Sequence, residues 1–121
     1  MQPLGIHHVS LNVSDVPEAI SFYVEQLGGS LRDDRPNLGI PGAWIDLGAQ
    51  QLHLVEGTPP AALGQHLAIS VTDLDAVVSE LRQTGLEIGD PFDIGTGRQT
   101  FVNDPAGNAI EIREAALEAE S

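Results

Sequence analysis

Three of the four histidines and one glutamate recur at a single sequence offset. His8 and His66 are 58 residues apart, and His53 and Glu111 are separated by the same 58 residues. Imidazole nitrogens and carboxylate oxygens form the ligand set of Zn, Ni, Co, Mn or Fe in proteins. Protein ligands at four positions of an octahedral ion leave two neighbouring positions, which a substrate with adjacent oxygens can fill as a chelate. The spacing therefore indicates a divalent metal site with these four ligands.

Alternation along the surrounding strands gives the four side chains a common orientation. Their immediate neighbours are apolar: Val9 and Leu67 follow His8 and His66, Leu52 and Leu54 flank His53, and Ile110 and Ile112 flank Glu111. Because successive side chains of a strand point to opposite faces, we expect the apolar neighbours to face the helices and the four ionisable residues to face away from them. His7 has the opposite parity, which places it on the helix-facing side, and we expect it to be an ordinary buried or edge imidazole.

The same offset reveals a tandem repeat of two β-α-β-β-β modules. We predict module 1 over residues 1–57, a linker over 58–64, module 2 over 65–113 and an acidic tail over 114–121. The first strand is predicted over 5–13, and Ser14 and Thr72 are the predicted N-caps of the two helices. A short strand is predicted near LEIG, at 86–89. A pseudo-twofold relation between the modules would bring their polar faces into one concave sheet.

The charge balance excludes several classes of partner. The chain has 18 acidic residues, five arginines and no lysine, which gives a formal net charge of −13. Such a chain repels phosphate backbones and anionic lipids, so we expect neither nucleic acid nor a membrane as a partner. There is no cysteine, which excludes disulfides and thiolate chemistry. The N-terminus has no signal-peptide pattern, so we expect a cytoplasmic protein.

Four stretches, HHVSLNVSDVPEAISFYVEQLGG, WIDLGAQQLHLVE, QHLAISVTDLDAVVSELRQTG and FVNDPAGNAIEIRE, resemble the vicinal oxygen chelate superfamily of glyoxalases, bleomycin-resistance proteins and extradiol dioxygenases. The resemblance implies an α+β fold in which two tandem βαβββ modules form an eight-stranded cup-shaped sheet with helices on its convex side. It also implies a homodimer, a metal at His8, His53, His66 and Glu111, and Glu111 as the catalytic base. Many glyoxalases have a carboxylate where this chain has His53, and members with only three of these ligands normally use the positions of His8, His66 and Glu111.

Family membership alone does not define the reaction. The leading hypothesis is a divalent-metal-dependent, glyoxalase-like lyase or isomerase acting on a small substrate that chelates the metal through adjacent oxygens. Its substrate-binding candidates are Arg113, which shares the face of Glu111 by parity, and the aromatic residues Phe101 and Trp44. Core packing is the alternative for the two aromatic residues, and a solvated edge position is the alternative for Arg113. The alternative functions are a non-catalytic drug- or metabolite-binding protein of the bleomycin-resistance type and a small extradiol-type dioxygenase.

Overall fold

The chain divides into two compact units, Met1–Ala61 and Ala62–Ser121. The computed structural model describes residues 1–61 and 64–114. Most of the predicted acidic tail, residues 115–121, therefore lies outside the described residues, as do positions 62 and 63 of the predicted linker. Glu114, the first residue of that tail, is the last residue of a strand.

The first unit is a four-stranded mixed sheet with one helical segment. Its strands are β1 (His8–Val13), β2 (Ser30–Leu31), β3 (Gly42–Leu47) and β4 (Gln50–Glu56). Helix α1 (Val16–Ser21) follows β1 and continues as a π-helical turn, Phe22–Gln26. The strand order is β1-β4-β3-β2. β1 runs parallel to β4, and the other pairs are antiparallel.

The second unit repeats this topology. Its strands are β5 (Leu67–Ser70), β6 (Phe92–Ile94), β7 (Gly97–Asn103) and β8 (Ala109–Glu114), and helix α2 (Leu74–Gln83) follows β5. The strand order is β5-β8-β7-β6, again with one parallel pair, β5 and β8. The described residues thus form two βαβββ modules, and the predicted α+β fold class is confirmed.

Apolar side chains bury one face of each last strand. Leu52 and Leu54 of β4, and Ile110 and Ile112 of β8, are at most 1% exposed. They belong to cores that include Tyr23 next to α1 and, on α2, Leu74, Val78 and Leu81. Because the period of a strand is two, His53 and Glu111 lie on the opposite face from these core residues. No helix in the described part of the chain is both long and apolar enough to cross a membrane.

Three predicted element boundaries were wrong. The N-caps of the helices are Asp15 and Asp73 and not the predicted Ser14 and Thr72. The two aspartates accept hydrogen bonds from the backbone amides of Glu18 and Ala76. The first strand begins at His8, where pairing with β4 begins, rather than at Gly5. Residues 86–89 contribute an isolated bridge between Ile88 and Val102, and the strand β6 forms further along the chain.

Candidate functional site

In the second unit, His66 and Glu111 are in direct contact. His66 immediately precedes β5, Glu111 lies in the middle of β8, and His66 Nε2 is 3.1 Å from Glu111 Oε1. The other ring nitrogen, Nδ1, is 2.9 Å from the carbonyl oxygen of Gly64 and donates to it. In the neutral tautomer that this donation selects, Nε2 carries a lone pair and faces a carboxylate oxygen. The pair therefore requires a cation between its two acceptors, either a proton on Nε2 or a metal ion.

The geometry of this pair fits a divalent metal. Metal-ligating histidines donate their second N–H to a carbonyl or carboxylate, as His66 does to Gly64. Ligands at about 2.1 Å from an ion and at right angles to each other lie about 3.0 Å apart. The observed separation of 3.1 Å matches this value. Glu111 is only 9% exposed, so its carboxylate is held away from bulk water at the point where the ion would bind.

Phe101 and Arg113 share the face of Glu111. Phe101 is the residue directly opposite Glu111 in the pairing of β7 with β8. Its ring meets the His66 ring edge-on, with centroids 5.5 Å apart. Arg113 is two residues beyond Glu111 on β8 and is partly buried. The aromatic ring of Phe101 thus borders the candidate site instead of packing in the core.

In the first unit, three aromatic rings form a continuous stack. The His8 and His53 rings are parallel within 13°, with centroids 3.7 Å apart. On its far side His53 stacks on Trp44 at 4.7 Å, also within 13°. Trp44 and His53 are direct neighbours in the pairing of β3 with β4. The stack fixes the plane of the His53 ring, so Trp44 contacts a candidate ligand rather than the apolar core.

Burial lowers the pKa of the His53 imidazole below its usual value of 6.5, and the neighbouring His8 and His7 rings lower it further. His53 is 9% exposed, and a buried imidazole loses the hydration that stabilises its charged form. His53 is therefore neutral near pH 7, which is the form that binds metals. Its Nε2 lies 3.1 Å from Gln51 Oε1, a contact that leaves Nδ1 as the free acceptor.

His7 lies outside β1 and is exposed, so the predicted helix-facing position is wrong. Its Nδ1 is 2.8 Å from Nδ1 of His8. One of these nitrogens donates and the other accepts, which orients the His8 ring. Sequence reasoning also missed Gln51 and the Gly64 carbonyl, each of which orients a candidate ligand. Gln51 precedes His53 by two residues on β4, so the strand period could have drawn attention to it. The Gly64 carbonyl belongs to the backbone before β5 and gave no sequence signal.

Each unit thus pairs two of the four predicted ligands: His8 with His53, and His66 with Glu111. Within the described residues of either unit, no group of three or more His, Asp or Glu side chains is arranged to hold a metal ion. Each pair by itself is half of the predicted four-ligand set.

A sequence model of the Glyoxalase/Bleomycin resistance protein/Dioxygenase superfamily matches residues 5–112. The chain belongs to this superfamily. The match extends over both modules and includes all four predicted ligands, which agrees with the resemblance carried by the quoted stretches.

The solved structures similar to this chain include a virulence protein, an antibiotic binding protein and a fosfomycin resistance protein. Virulence protein STM3117 from Salmonella typhimurium is 30% identical over 96% of this chain and 100% of its own, with a TM-score of 0.76. TnmS3, an antibiotic binding protein from Streptomyces sp. CB03234, is 28% identical over 96% of this chain and 99% of its own, with a TM-score of 0.82. The fosfomycin resistance protein FosX from Listeria monocytogenes has the same fold at 16% identity, with 98% of each chain covered and a TM-score of 0.83. This structure, of a FosX mutant, contains Mn(II) and 1S,2S-dihydroxypropylphosphonic acid, so proteins with this fold include one that binds a metal.

Proposed function

We propose that this protein is a divalent-metal-dependent, glyoxalase-like lyase or isomerase. His8, His53, His66 and Glu111 supply the ligands, and the substrate is a small molecule that occupies the remaining positions through two adjacent oxygens. The observation that carries the proposal is the His66–Glu111 pair, with two acceptor atoms 3.1 Å apart and the second imidazole nitrogen held by Gly64. A divalent cation such as Zn, Ni, Co, Mn or Fe fits this donor set.

Glu111 is the proposed catalytic base. When bound, the metal supplies a Lewis acid that polarises a substrate carbonyl. Glu111 Oε1 faces His66, so we assign Oε2 as the atom that removes a proton from the carbon beside the carbonyl and returns it to the adjacent carbon. The low exposure of this carboxylate limits proton exchange with solvent during the transfer. His66, held at Nδ1 by a backbone carbonyl, keeps the carboxylate in position.

Three further side chains are proposed to bind substrate. Phe101, directly across from Glu111, covers the reacting atoms and excludes water. Arg113, on the same face of β8, binds an anionic group of the substrate. Trp44 offers an aromatic surface beside His53. We further propose a cytoplasmic homodimer, in which the ligands of one ion come from one subunit or from two. A monomer in light scattering at micromolar concentration would contradict the dimer.

The proposal is tested by turnover of methylglyoxal–thiol adducts with each of the five metals. We expect activity that a chelator removes and that added metal restores. Glu111→Gln should lower kcat/KM by about 10²–10⁴, the range of a general base, while circular dichroism shows an intact fold. Glu80→Gln, an exposed glutamate of α2, is the matched control and should leave kcat/KM unchanged. Turnover at the wild-type rate in Glu111→Gln would remove Glu111 as the base.

The second candidate is a binding protein without catalysis, which the similarity to the antibiotic binding protein TnmS3 favours. It predicts tight binding of an aromatic drug against Trp44 and no turnover with any metal. Metal analysis of the purified protein separates the two functions, because a binding protein of this kind does not need an ion. Oxygen uptake with a catechol in the presence of iron would instead indicate the dioxygenase alternative.

A further inference from the structure

A row of three hydrogen-bonding side chains crosses the second sheet next to Glu111. Arg113 of β8 lies directly opposite Ser70 of β5 on one side and Gln99 of β7 on the other. Residues directly opposite each other share a face, with Cβ atoms about 4.5–5.5 Å apart. Arg113 follows Glu111 by two residues, so the row is on the face of Glu111 and about 7 Å along the strand from it. A guanidinium, an amide and a hydroxyl are thus within reach of one ligand group.

Arg113 differs from the other arginines in its contacts. Among the described residues, Arg32, Arg82 and Arg98 form ion pairs with aspartates, and Arg35 donates to a backbone carbonyl. The Arg113 backbone carbonyl accepts a hydrogen bond from Val71. Its side chain makes no hydrogen bond or ion pair within the parts of the chain the structure describes, 1–61 and 64–114, although the sequence contains 18 acidic residues. Within those parts of the chain, this partly buried arginine has no anionic partner, which is unfavourable for a charged side chain. An anionic ligand would supply the missing partner.

The surroundings of Phe101 orient such a ligand. A cavity of about 290 Å³ is lined by residues 87–89 and by residues 101–103 of β7, which lie further along that strand than Gln99. Glu87 and Asn103 are among the lining residues, and none of the lining residues is cationic. Glu87 repels an anion at this end, and Arg113 attracts one at the other end. The anionic end of a ligand that spans Glu111 therefore points towards Arg113.

We propose that Arg113, Gln99 and Ser70 form a carboxylate-binding subsite, and that the substrate is a small carboxylic acid. This inference rests on the proposed function for the position of the chelating oxygens, which lie beside His66 and Glu111. The carboxylate that this subsite binds is a different group from the chelating oxygens. It lies beside Arg113, two residues beyond Glu111 on β8. The planar fork of Arg113 matches a carboxylate in two parallel hydrogen bonds. A single guanidinium in so acidic a chain is a poor match for the higher charge of a phosphate.

The test compares two probes in titration calorimetry of the Mn(II)-loaded protein. 2-Oxoglutarate and 2-oxopentanoate have the same chelating oxygens and chain length, and only the first has a distal carboxylate. We expect 2-oxoglutarate to bind at least about tenfold more tightly, as a charge-assisted bidentate contact allows. Arg113→Gln should remove this preference and leave Mn(II) affinity unchanged. Arg82→Gln, which removes a cation from the surface pair with Asp90, should retain the preference.

A titration without metal tests the carboxylate-binding subsite independently of the proposed metal site. Glutarate lacks the 2-oxo group of the chelating probes, and in nuclear magnetic resonance it should shift the Gln99 side-chain amide and the Ser70 backbone amide in the wild type but not in Arg113→Gln. These shifts without any Mn(II) binding would support the subsite and overturn the proposed function. Mn(II) binding with equal affinity for the two oxo acids, or a preference that survives in Arg113→Gln, would overturn the subsite.

Discussion

Replacing His66 by glutamine is expected to abolish most of the stabilisation that a divalent metal gives this protein. His66 Nε2 is one of two atoms that face each other across the candidate ion position in the second unit, 3.1 Å from Glu111 Oε1. Even residues that only orient a ligand cost about 10–100-fold in metal affinity when they are replaced. We therefore expect a loss of at least about 100-fold when the ligand nitrogen itself is removed.

The size of the effect follows from mass action. Metal at about 100 times its Kd stabilises the wild type by about 2.7 kcal/mol. For a chain of this length, about 4 °C of melting temperature per kcal/mol gives a rise of about 11 °C. In His66→Gln the same concentration would be close to the new Kd, which leaves about 0.4 kcal/mol, or about 2 °C.

Thermal unfolding with and without Mn(II), followed by circular dichroism, measures this difference. Glu80→Gln is the control, because it changes an exposed side chain of α2 outside the proposed ligand set; its melting temperature should rise like that of the wild type. A full rise of about 11 °C in His66→Gln would refute the assignment of His66 as a ligand. Loss of the rise in Glu80→Gln would show that the ion binds elsewhere.

Three other measurements test the local structure. Asp104→Ala should lower the free energy of unfolding by about 2–4 kcal/mol in urea titrations. The buried Asp104 carboxylate accepts hydrogen bonds from the backbone amide of Ala106 and from the backbone and side-chain nitrogens of Asn108. A loss below about 1 kcal/mol would contradict this turn geometry. The pKa of His53 is lower in the folded state than in the unfolded chain. As the pH falls below 6.5, the unfolded chain therefore takes up a proton on His53 before the folded protein does, and the metal-free protein should lose stability. His53→Gln should show a shallower decline in the same titrations, and equal slopes would count against a buried neutral imidazole. Asp15→Ala should cost about 1 kcal/mol, whereas Ser14→Ala should cost nothing measurable; the opposite order would restore the cap predicted from sequence.

The repeat made the last strand of each module predictable. His53 and Glu111 are each flanked by two apolar residues, and these neighbours are buried as the strand period requires. A regular alternation of this kind determines which face a side chain occupies, because a shift by one residue would expose the whole apolar set. The sequence therefore contained enough information to predict both the fold class and the face on which the candidate ligands lie.

The sequence repeat did not predict the positions of Trp44 and Phe101, because the offset between the two modules is one residue smaller for their strands than for the last strands. His53 and Glu111 correspond at an offset of 58, but their cross-strand partners Trp44 and Phe101 correspond at 57. The turn between β7 and β8 is longer than that between β3 and β4, and this changes the register. At an offset of 58, Trp44 would correspond to Val102, which is a core residue at 2% exposure. Only the pairing of the strands reveals the equivalence.

The start of α1 and the position of β6 depend on backbone conformation, which the types of the neighbouring residues do not determine. Both Ser14 and Asp15 are good N-cap residues, and the choice depends on which of them is extended with its oxygen near a free amide. Asp15 satisfies this condition, with φ of −136° and a hydrogen bond from Glu18. β6 forms where it does because Gly95, with φ of +56°, begins the two-residue turn into β7. The apolar pattern of LEIG gave no indication of that turn.

The central claim is that the His66–Glu111 pair belongs to a metal centre. Anomalous diffraction from crystals grown with Mn(II) tests it most directly, because it locates the ion independently of any assay. We expect an anomalous peak about 2.0–2.3 Å from both His66 Nε2 and Glu111 Oε1, with His8 and His53 completing the ligand set. An ordered crystal with Mn(II) at millimolar concentration and no peak between these two atoms would contradict the account.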